Sequence, residues 1–417
     1  MTTRQFNSEW AFSLAYYAGD RKTGAVHVVS FNKGAVDNYA MPVSPDTERE
    51  KNLKPVFIGV TAQKQAVIMD PKSKQISVQS DFPCDAFAAH DYPEPNSHRV
   101  WFMNDGDKET GNDTLNCGDQ GSSVTVIENA GHDTAHWIGT VCVGRGHHQA
   151  LFVKPSADDA DALKRVYISN LVDGSISIID NDPADNTTCL SNIGTINLFN
   201  AQSDDAGQSQ PNKAFPHGLC YSHISKKLYC LCNGYGDIAV IDPASLQLER
   251  RIAFTGHSNL FATPDGRFLI GRGADRKSDD EHVMAFISVY DVENDVVCDR
   301  MNLPDIYISK YFFSPQGETL YLTTAVSGND VQQQHLRSDA LLVFDMKAMP
   351  TLHLLAELRL GAPAGTLDFA VNDNGIEAVF VATAETGSIA VIDGEHHLVD
   401  SIRVCEPQKH SRLWVLR

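Results

Sequence analysis

The chain is poor in basic residues and has no long apolar run. Its 417 residues contain 34 Lys and Arg against 53 Asp and Glu, a formal net charge of −19. No Lys/Arg cluster is present that could neutralise a phosphate backbone, which argues against nucleic acid as a partner. No run of 18 apolar residues occurs, and the N-terminal stretch lacks the features of a secretion signal. We therefore expect no membrane partner and a cytoplasmic protein.

Several enzyme signatures are also missing. The sequence contains no G-x-S-x-G elbow, no P-loop and no H-E-x-x-H motif. Its nine cysteines form no C-x-x-C pair and lie mostly in strand-like runs such as LYCLC, which favours buried, reduced thiols. No stretch has the period of a long amphipathic helix, so the sequence predicts an all-β protein.

The sequence does contain an internal repeat. A short apolar stretch that ends on an acidic or polar residue occurs eight times, at a period near fifty residues: VHVVS, AVIMD, VTVIE, ISIID, IAVID, ISVYD, LLVFD and IAVID. Alternating apolar residues and Gly/Asn/Asp turns around each copy predict four antiparallel strands, with this stretch as the third. Four-stranded units at this period are typical of the blades of a β-propeller.

Three repeat segments carry a resemblance to a known family. RVYISNLVDGSISIID, KLYCLCNGYGDIAVIDP and AVFVATAETGSIAVIDG resemble the YVTN-type repeats of the propeller superfamily that includes the cytochrome d1-like propellers. The resemblance covers almost the whole chain and implies the fold, but not the function. We expect one eight-bladed propeller domain over residues 1–417, or seven blades if the N-terminal hairpin lies outside the ring.

The blade count depends on how the chain ends are assigned. The C-terminal HSRLWVLR is predicted to be the inner strand of the first blade, which closes the ring through pairing with the N-terminal strands. Residues 39–44 are predicted to be the inner strand of the second blade. The first blade then lacks an outer strand.

Histidines occur where the predicted inner strands begin. Counting back from the turn after each inner strand places an imidazole at about one height in four blades: His148, His217, His257 and His410. Imidazoles from separate rigid strands suit Cu, Fe or Zn, and we predict a Cu or Fe site at the channel mouth. In arrangement only, this set resembles the metal sites of nitrous oxide reductase, thiocyanate dehydrogenase and carotenoid cleavage oxygenases. The alternative is that the imidazoles cap backbone groups at a tight bend.

Other polar residues are predicted near the same mouth. Acid–base or metal-supporting roles are assigned to Lys310, Asp85 and Asp368. Three connections between second and third strands are long, beginning at residues 104, 271 and 327, and long loops in compact domains are often functional. They carry side chains suited to binding an anionic substrate or transferring protons: Arg272, Arg276, His282, His335 and Arg337.

Three functions are compatible with these residues. The first is an oxidoreductase or oxygenase that acts on a small molecule through a His-ligated metal. The second is a non-catalytic scaffold that binds a protein partner on its loop face. The third is a tetrapyrrole-binding propeller, such as one for haem d1, with one of the same histidines as axial ligand.

Overall fold

A computed structural model describes residues 13–19, 24–32, 35–42, 56–60, 66–70, 75–79, 88–95, 97–104, 117, 122–129, 134, 136–153, 164–185, 187–204, 211–372 and 375–416. These residues form eight antiparallel sheets, seven with four strands and one with three. Within each sheet, strands that follow one another along the chain lie side by side.

The N-terminal half contains fourteen of the strands. They are β1 (Ser13–Gly19), β2 (Gly24–Asn32), β3 (Ala35–Pro42), β4 (Val56–Val60), β5 (Ala66–Asp70), β6 (Gln75–Gln79), β7 (Ala88–Pro93), β8 (Val100–Asn104), β9 (Ser122–Glu128), β10 (His136–Val143), β11 (His147–Val153), β12 (Arg165–Asn170), β13 (Ser175–Asp180) and β14 (Asn192–Asn197). The three-stranded sheet is β4-β5-β6.

The C-terminal half continues the same pattern. Its strands are β15 (Pro216–Ser222), β16 (Lys227–Cys232), β17 (Asp237–Asp242), β18 (Gln247–Ala253), β19 (His257–Ala262), β20 (Phe268–Asp275), β21 (Met284–Asp291), β22 (Val296–Pro304), β23 (Ile308–Phe313), β24 (Thr319–Thr324), β25 (Ala340–Asp345), β26 (His353–Arg359), β27 (Leu367–Asn372), β28 (Gly375–Thr383), β29 (Ser388–Asp393), β30 (Leu398–Arg403) and β31 (His410–Leu416).

Helix is scarce in the described residues. The helix α1 (Asp330–His335) lies between β24 and β25, and a 3-10 helix (Ala384–Thr386) lies between β28 and β29. The Asn329 side chain caps α1 by accepting hydrogen bonds from the Val331 and Gln332 amides. In the described part of the chain, we find no helix with the length and hydropathy of a membrane span.

The eight marker stretches confirm the predicted repeat. Each lies in the third strand of a four-stranded sheet or the middle strand of the three-stranded one. Third strands such as β21 are mainly buried, whereas the outer strand β22 is largely exposed. Apolar side chains from neighbouring sheets form the core between them, as Ile270 and Ile287 do with Leu342 of the next sheet. First strands of several consecutive sheets contact one another, as β11 does with β15, β15 with β19 and β27 with β31, which is the arrangement of blades in a propeller.

The chain ends pair as predicted, but the second-blade assignment was wrong. β31 is the inner strand of the first sheet and pairs with β1, with Ser13 opposite Leu416. Residues 39–42, however, belong to β3, the outer strand of that same sheet, where Tyr39 pairs with Val28. The first interval is short because only two residues separate β2 from β3, with Asn32 opposite Ala35, so the outer strand is not missing.

The cysteines follow the prediction only in part. Cys220, Cys230 and Cys232 are buried free thiols within β15 and β16, and burial raises the pKa of Cys220. Cys117 and Cys142, by contrast, form a disulfide that joins the β8–β9 connection to the end of β10. The expectation of reduced thiols was therefore wrong for this pair.

Candidate functional site at the channel mouth

The inner strands β15, β19 and β23 begin at the same face of the propeller. Because antiparallel strands alternate in direction, the connections between second and third strands end on that same face. We call this face the channel mouth. The backbones of β15 and β19 come very close there, since a Cβ on Gly218 would lie 2.6 Å from the Leu260 nitrogen.

The four predicted metal-ligand histidines occupy two different register positions. His257 and His410 are the first residues of their strands, whereas His148 and His217 are the second residues of theirs. A shift of one residue in a strand turns a side chain to the other face. The strand register therefore does not hold the four imidazoles at one position.

The reason is an unequal distance from each strand to its turn. The pairing of each inner strand with its second strand shows that Ala150 and Leu260 hold equivalent positions. Each lies three residues after the first histidine of its strand, and in both sheets the residues opposite these two positions are two apart. Ala150 is one residue further from the proline of its turn than Leu260 is. Counting back from the proline consequently aligned His148 with His257, although strand pairing aligns His147 with it.

His257 has no ring nitrogen left for a metal ion. Its Nδ1 lies 3.2 Å from the Phe254 carbonyl oxygen and its Nε2 lies 2.9 Å from Ser288 Oγ. The ring is buried, stacks on Phe254 at 3.7 Å and meets the edge of Phe286 at 5.0 Å. Burial lowers the pKa of His257 to about 4. These contacts contradict the ligand role predicted for it.

His217 and His410 have different surroundings. His217 is half-buried, its ring is parallel to that of Phe215, and burial lowers its pKa. His410 is exposed. Among the residues that the structure describes, no three His, Cys, Asp or Glu side chains form a group that could hold a metal ion. The side chain of His148 lies outside those residues, as does Asp85.

Lys310 and Asp368 join neighbouring blades. Lys310 Nζ donates to the Gly365 carbonyl oxygen at 2.9 Å. Asp368 accepts from the amide of Phe369 and from that of Val415 in β31, both at 2.8 Å. Because both Asp368 oxygens serve the backbone, its contacts are those of a structural residue rather than of a catalytic acid.

The two described long connections interlock. Gln332 of α1 is buried, and its Nε2 donates to the carbonyl oxygens of Asp279 and Arg276 at 2.7 and 3.2 Å. The rings of His282 and His335 lie 4.8 Å apart, and His282 Nδ1 lies 2.8 Å from Asp305 Oδ1. The structure thus brings these two predicted substrate-binding histidines together. We call residues 275–283 and 325–340 the loop cluster.

Arg337 holds the base of the loop cluster. Its guanidinium binds the Glu357 carboxylate and donates to the Pro304 carbonyl oxygen at 2.7 Å. An arginine already paired with a carboxylate is a poor receptor for an anionic substrate, because the pair must first be broken. Its contacts therefore favour a structural role over the predicted substrate-binding one.

Arg272 differs from Arg337 in this respect. It lies in β20 opposite Asn259, and its Nη1 donates to the Ile308 carbonyl oxygen of the next sheet at 2.8 Å. Its buried Nε has no hydrogen-bond partner among the described residues, and no described carboxylate forms an ion pair with it. Burial lowers the pKa of Arg272. Tyr307 and Tyr311 act in the opposite direction and offset part of this effect.

A second arginine lies near Arg272. The Arg276 guanidinium lies 5.5 Å from the ring centre of Tyr307 and donates to Ser327 Oγ at 3.1 Å. Tyr307 precedes Ile308, the residue that receives the Arg272 hydrogen bond. Arg276, like Arg272, forms no ion pair with a described carboxylate, so two arginines approach this point without an acidic partner.

Sequence reasoning missed the polar residues around Ser258. The Ser258 carbonyl oxygen accepts from Asn233 Nδ2 at 3.3 Å, and its hydroxyl donates to the Arg272 carbonyl oxygen at 3.3 Å. Asn233 Oδ1 is buried and has no hydrogen-bond partner among the described residues. We call His217, Asn233, Ser258 and Arg272 the mouth cluster. No sequence motif marks it, because its members come from four separate segments of two neighbouring sheets.

Comparisons with known proteins identify the fold. No protein-family model matches the chain, and no curated protein matches its sequence. The solved structure of the dihydro-heme d1 dehydrogenase NirN in complex with DHE is similar, with a TM-score of 0.58, 10% identity and coverage of 99% of this chain and 77% of that one. A putative 6-phosphogluconolactonase from Bacteroides fragilis gives 0.51, 14%, 98% and 100%. A protein from Lactobacillus plantarum gives 0.51, 13%, 97% and 99%.

These likenesses show the fold alone. The chain is an all-β propeller, and the predicted resemblance to a propeller superfamily that includes cytochrome d1-like proteins is confirmed at that level. Propellers serve many functions, so function has to be argued from the mouth cluster and the loop cluster.

Proposed function

We propose that this protein is a small-molecule-binding propeller enzyme whose substrate carries a carboxylate or phosphate that binds Arg272 at the channel mouth. One observation carries the proposal: Arg272 is a largely desolvated cation without a counter-ion in the described part of the chain. Its buried Nε has no hydrogen-bond partner there, and none of the described carboxylates forms an ion pair with it. A buried charge without a counter-ion is costly, and an anionic ligand would supply one.

The surrounding composition strengthens the argument. Acidic residues outnumber basic ones 53 to 34, so the chain has more than enough carboxylates to pair with each of its cations. Two other partly buried arginines have one: Arg145 pairs with Asp173, and Arg251 pairs with Asp237, both at 2.8 Å. Arg165, like Arg272, donates to a backbone carbonyl instead, that of Pro243, but only Arg272 among these four has a buried Nε without a hydrogen-bond partner in the described residues.

The chemistry that we propose is redox, as the sequence suggested, but no step is assigned to a metal. The described histidines do not fit a Cu or Fe centre made of His148, His217, His257 and His410, since both nitrogens of His257 are in use. A smaller site that uses His148 and His217, at the same register position in neighbouring inner strands, stays part of the proposal.

Tetrapyrrole binding is the second candidate. It is favoured by the likeness to NirN, whose structure contains DHE and matches nearly the whole of this chain. The carboxylates of a tetrapyrrole would need a cation such as Arg272. An absorbance titration with haem separates the two candidates, since only a tetrapyrrole site gives a sharp, stoichiometric Soret shift that Arg272→Met weakens.

Eight blades are part of the same proposal. The described residues form eight sheets, and each contains one marker strand. The inner strand of the three-stranded sheet would then come from residues outside the described ranges.

The first test is the stability of Arg272→Met without ligand. If Arg272 serves a ligand, removing its buried charge should raise the free energy of unfolding by about 1 kcal/mol. The matched control is Arg251→Met, which leaves Asp237 without its partner and should lower it by about 3 kcal/mol. A loss of similar size at both positions would make Arg272 structural.

The second test is binding. Calorimetry with acetate, benzoate and phosphate should show that at least one binds the wild type and binds Arg272→Met at least about tenfold more weakly. Arg300→Met, an exposed arginine on the outer strand of the same sheet, should bind like the wild type. Equal binding to all three proteins would contradict the proposal and favour the protein-binding scaffold.

A further inference from the structure

Phe215 holds a costly backbone conformation at the channel mouth. Its φ is 46°, in the left-handed region that bulky residues rarely adopt. It also precedes Pro216, and the residue before a proline normally prefers an extended conformation. Glycine or asparagine would adopt this φ with less strain, so the backbone does not explain why the position holds phenylalanine.

The ring is not used in the core either. Phe215 is 48% exposed, although a ring of this size contributes most to stability when it is buried. Two leucines, Leu190 and Leu246, also have a positive φ. They lie in connections between the third and fourth strands of their sheets, away from this face. Strain concentrated in an exposed aromatic residue is typical of a binding site.

The position of Phe215 is fixed relative to the mouth cluster. Its carbonyl oxygen accepts a hydrogen bond from the backbone amide of Asn233 at 3.2 Å. The side-chain amide of Asn233 in turn donates to the Ser258 carbonyl oxygen. The Phe215 and His217 rings are parallel to within 2°, with centres 6.4 Å apart. Two parallel ring planes are therefore presented beside a polar cluster that ends at Arg272.

We propose that the substrate is a planar aromatic or conjugated anion, whose ring stacks on Phe215 beside His217 while its anionic group binds Arg272. This inference rests on the proposed function, since Arg272 supplies the anion site. It adds the shape of the substrate. A flat π-system gains stacking energy on Phe215 that a saturated ring of the same charge and similar size does not.

The experiment compares benzoate with cyclohexanecarboxylate by calorimetry on the full chain. The wild type should bind benzoate about tenfold more tightly. Phe215→Gly should abolish that preference and leave the affinity for cyclohexanecarboxylate unchanged, whereas Phe215→Trp should retain the preference. Arg272→Met should weaken the binding of both probes.

Each outcome has a separate meaning. If the wild type binds both probes equally and Arg272→Met weakens both, the aromatic inference is wrong and the anion site stands. If Arg272→Met leaves the binding of both probes unchanged, the proposed function fails and this inference with it. If neither probe binds the wild type, this inference is wrong, and the phosphate titration decides the proposed function. Thermal unfolding of Phe215→Gly adds an independent check: relief of strain should keep or raise its Tm, and a clearly lower Tm would show that the ring is structural.

Discussion

His257 Nε2 lies 2.9 Å from Ser288 Oγ, and this contact joins the first and third strands of one blade across β20. Gly271 of β20 makes the contact possible, because a Cβ there would lie 2.8 Å from the His257 ring. The Phe254 carbonyl oxygen lies within hydrogen-bond distance of the other ring nitrogen. A neutral imidazole, which has one donor and one acceptor, satisfies this site, whereas a charged one cannot accept.

Acidification should therefore destabilise the protein through His257. Burial lowers its folded pKa to about 4, below the unfolded value near 6.5, so the unfolded state binds more protons between these two pH values. Its stabilising contribution is full above pH 6.5 and falls by about 2 kcal/mol between pH 6.5 and 5. Urea unfolding at both pH values measures this.

The control for that prediction is His257→Gln. Glutamine does not titrate, so the variant should be less stable at pH 6.5 but lose about 2 kcal/mol less than the wild type on going to pH 5. Parallel pH curves for the two proteins would contradict the assignment.

His282 should show the opposite behaviour. Its hydrogen bond to Asp305, with help from the charges of Asp279 and Glu281, raises its pKa. Its contribution to stability is complete below the unfolded pKa and is lost as the pH rises through the folded pKa. An NMR titration should place its pKa above 6.5, and Asp305→Asn should lower it. Asp280→Asn, in the same loop, should leave it nearly unchanged.

Gln332 should hold the two connections together. It is 1% exposed, and its Nε2 donates hydrogen bonds to carbonyl oxygens of the 275–283 segment. Its Oε1 accepts from the backbone amide of Asn329 at 2.9 Å. Gln332→Ala should cost about 1–3 kcal/mol, because it leaves buried carbonyl groups without donors. Hydrogen exchange should show the loss in residues 275–283 and 325–340. Gln333→Ala, on the exposed side of α1, is the control.

The disulfide should stabilise its blade. Cys117 and Cys142 are separated by 25 residues, and closing a loop of that length restricts the unfolded chain by about 3 kcal/mol. Cys117→Ser should lower the unfolding free energy by that order, and Cys298→Ser, at an exposed free thiol, should not. Since disulfides persist in oxidising compartments, finding this bond in protein isolated from its native cell would contradict the predicted cytoplasmic location.

The sequence predicted the fold well because the repeat is local. Each marker stretch is a period-two apolar pattern bounded by turns, and such a pattern specifies a strand without knowledge of its neighbours. β31 could be predicted as a strand for the same reason, since its own apolar pattern specifies one. The outer strand β3 was missed because a two-residue hairpin shortens the first repeat, and residue spacing alone does not distinguish a shorter turn from a missing strand.

The site was harder to predict. His257 and His217 differ by one register position, which depends on pairing with the next strand rather than on the spacing of histidines in the chain. Arg272 was predicted as a substrate-binding residue, but what distinguishes it is the absence of a carboxylate around it. Phe215 stood out only once its backbone angle was known, since Phe-Pro-His-Gly reads as an ordinary strand entry.

The pairing of β1 with β31 has a consequence for synthesis. As the chain leaves the ribosome, β1 emerges about 390 residues before its inner partner β31. Until then the first blade has an open inner edge, and the growing chain is an arc with an unpaired strand that could recruit a neighbouring chain. Chaperone protection of β1, or a circular permutant that places residues 410–416 directly before it, should therefore improve the yield of closed rings.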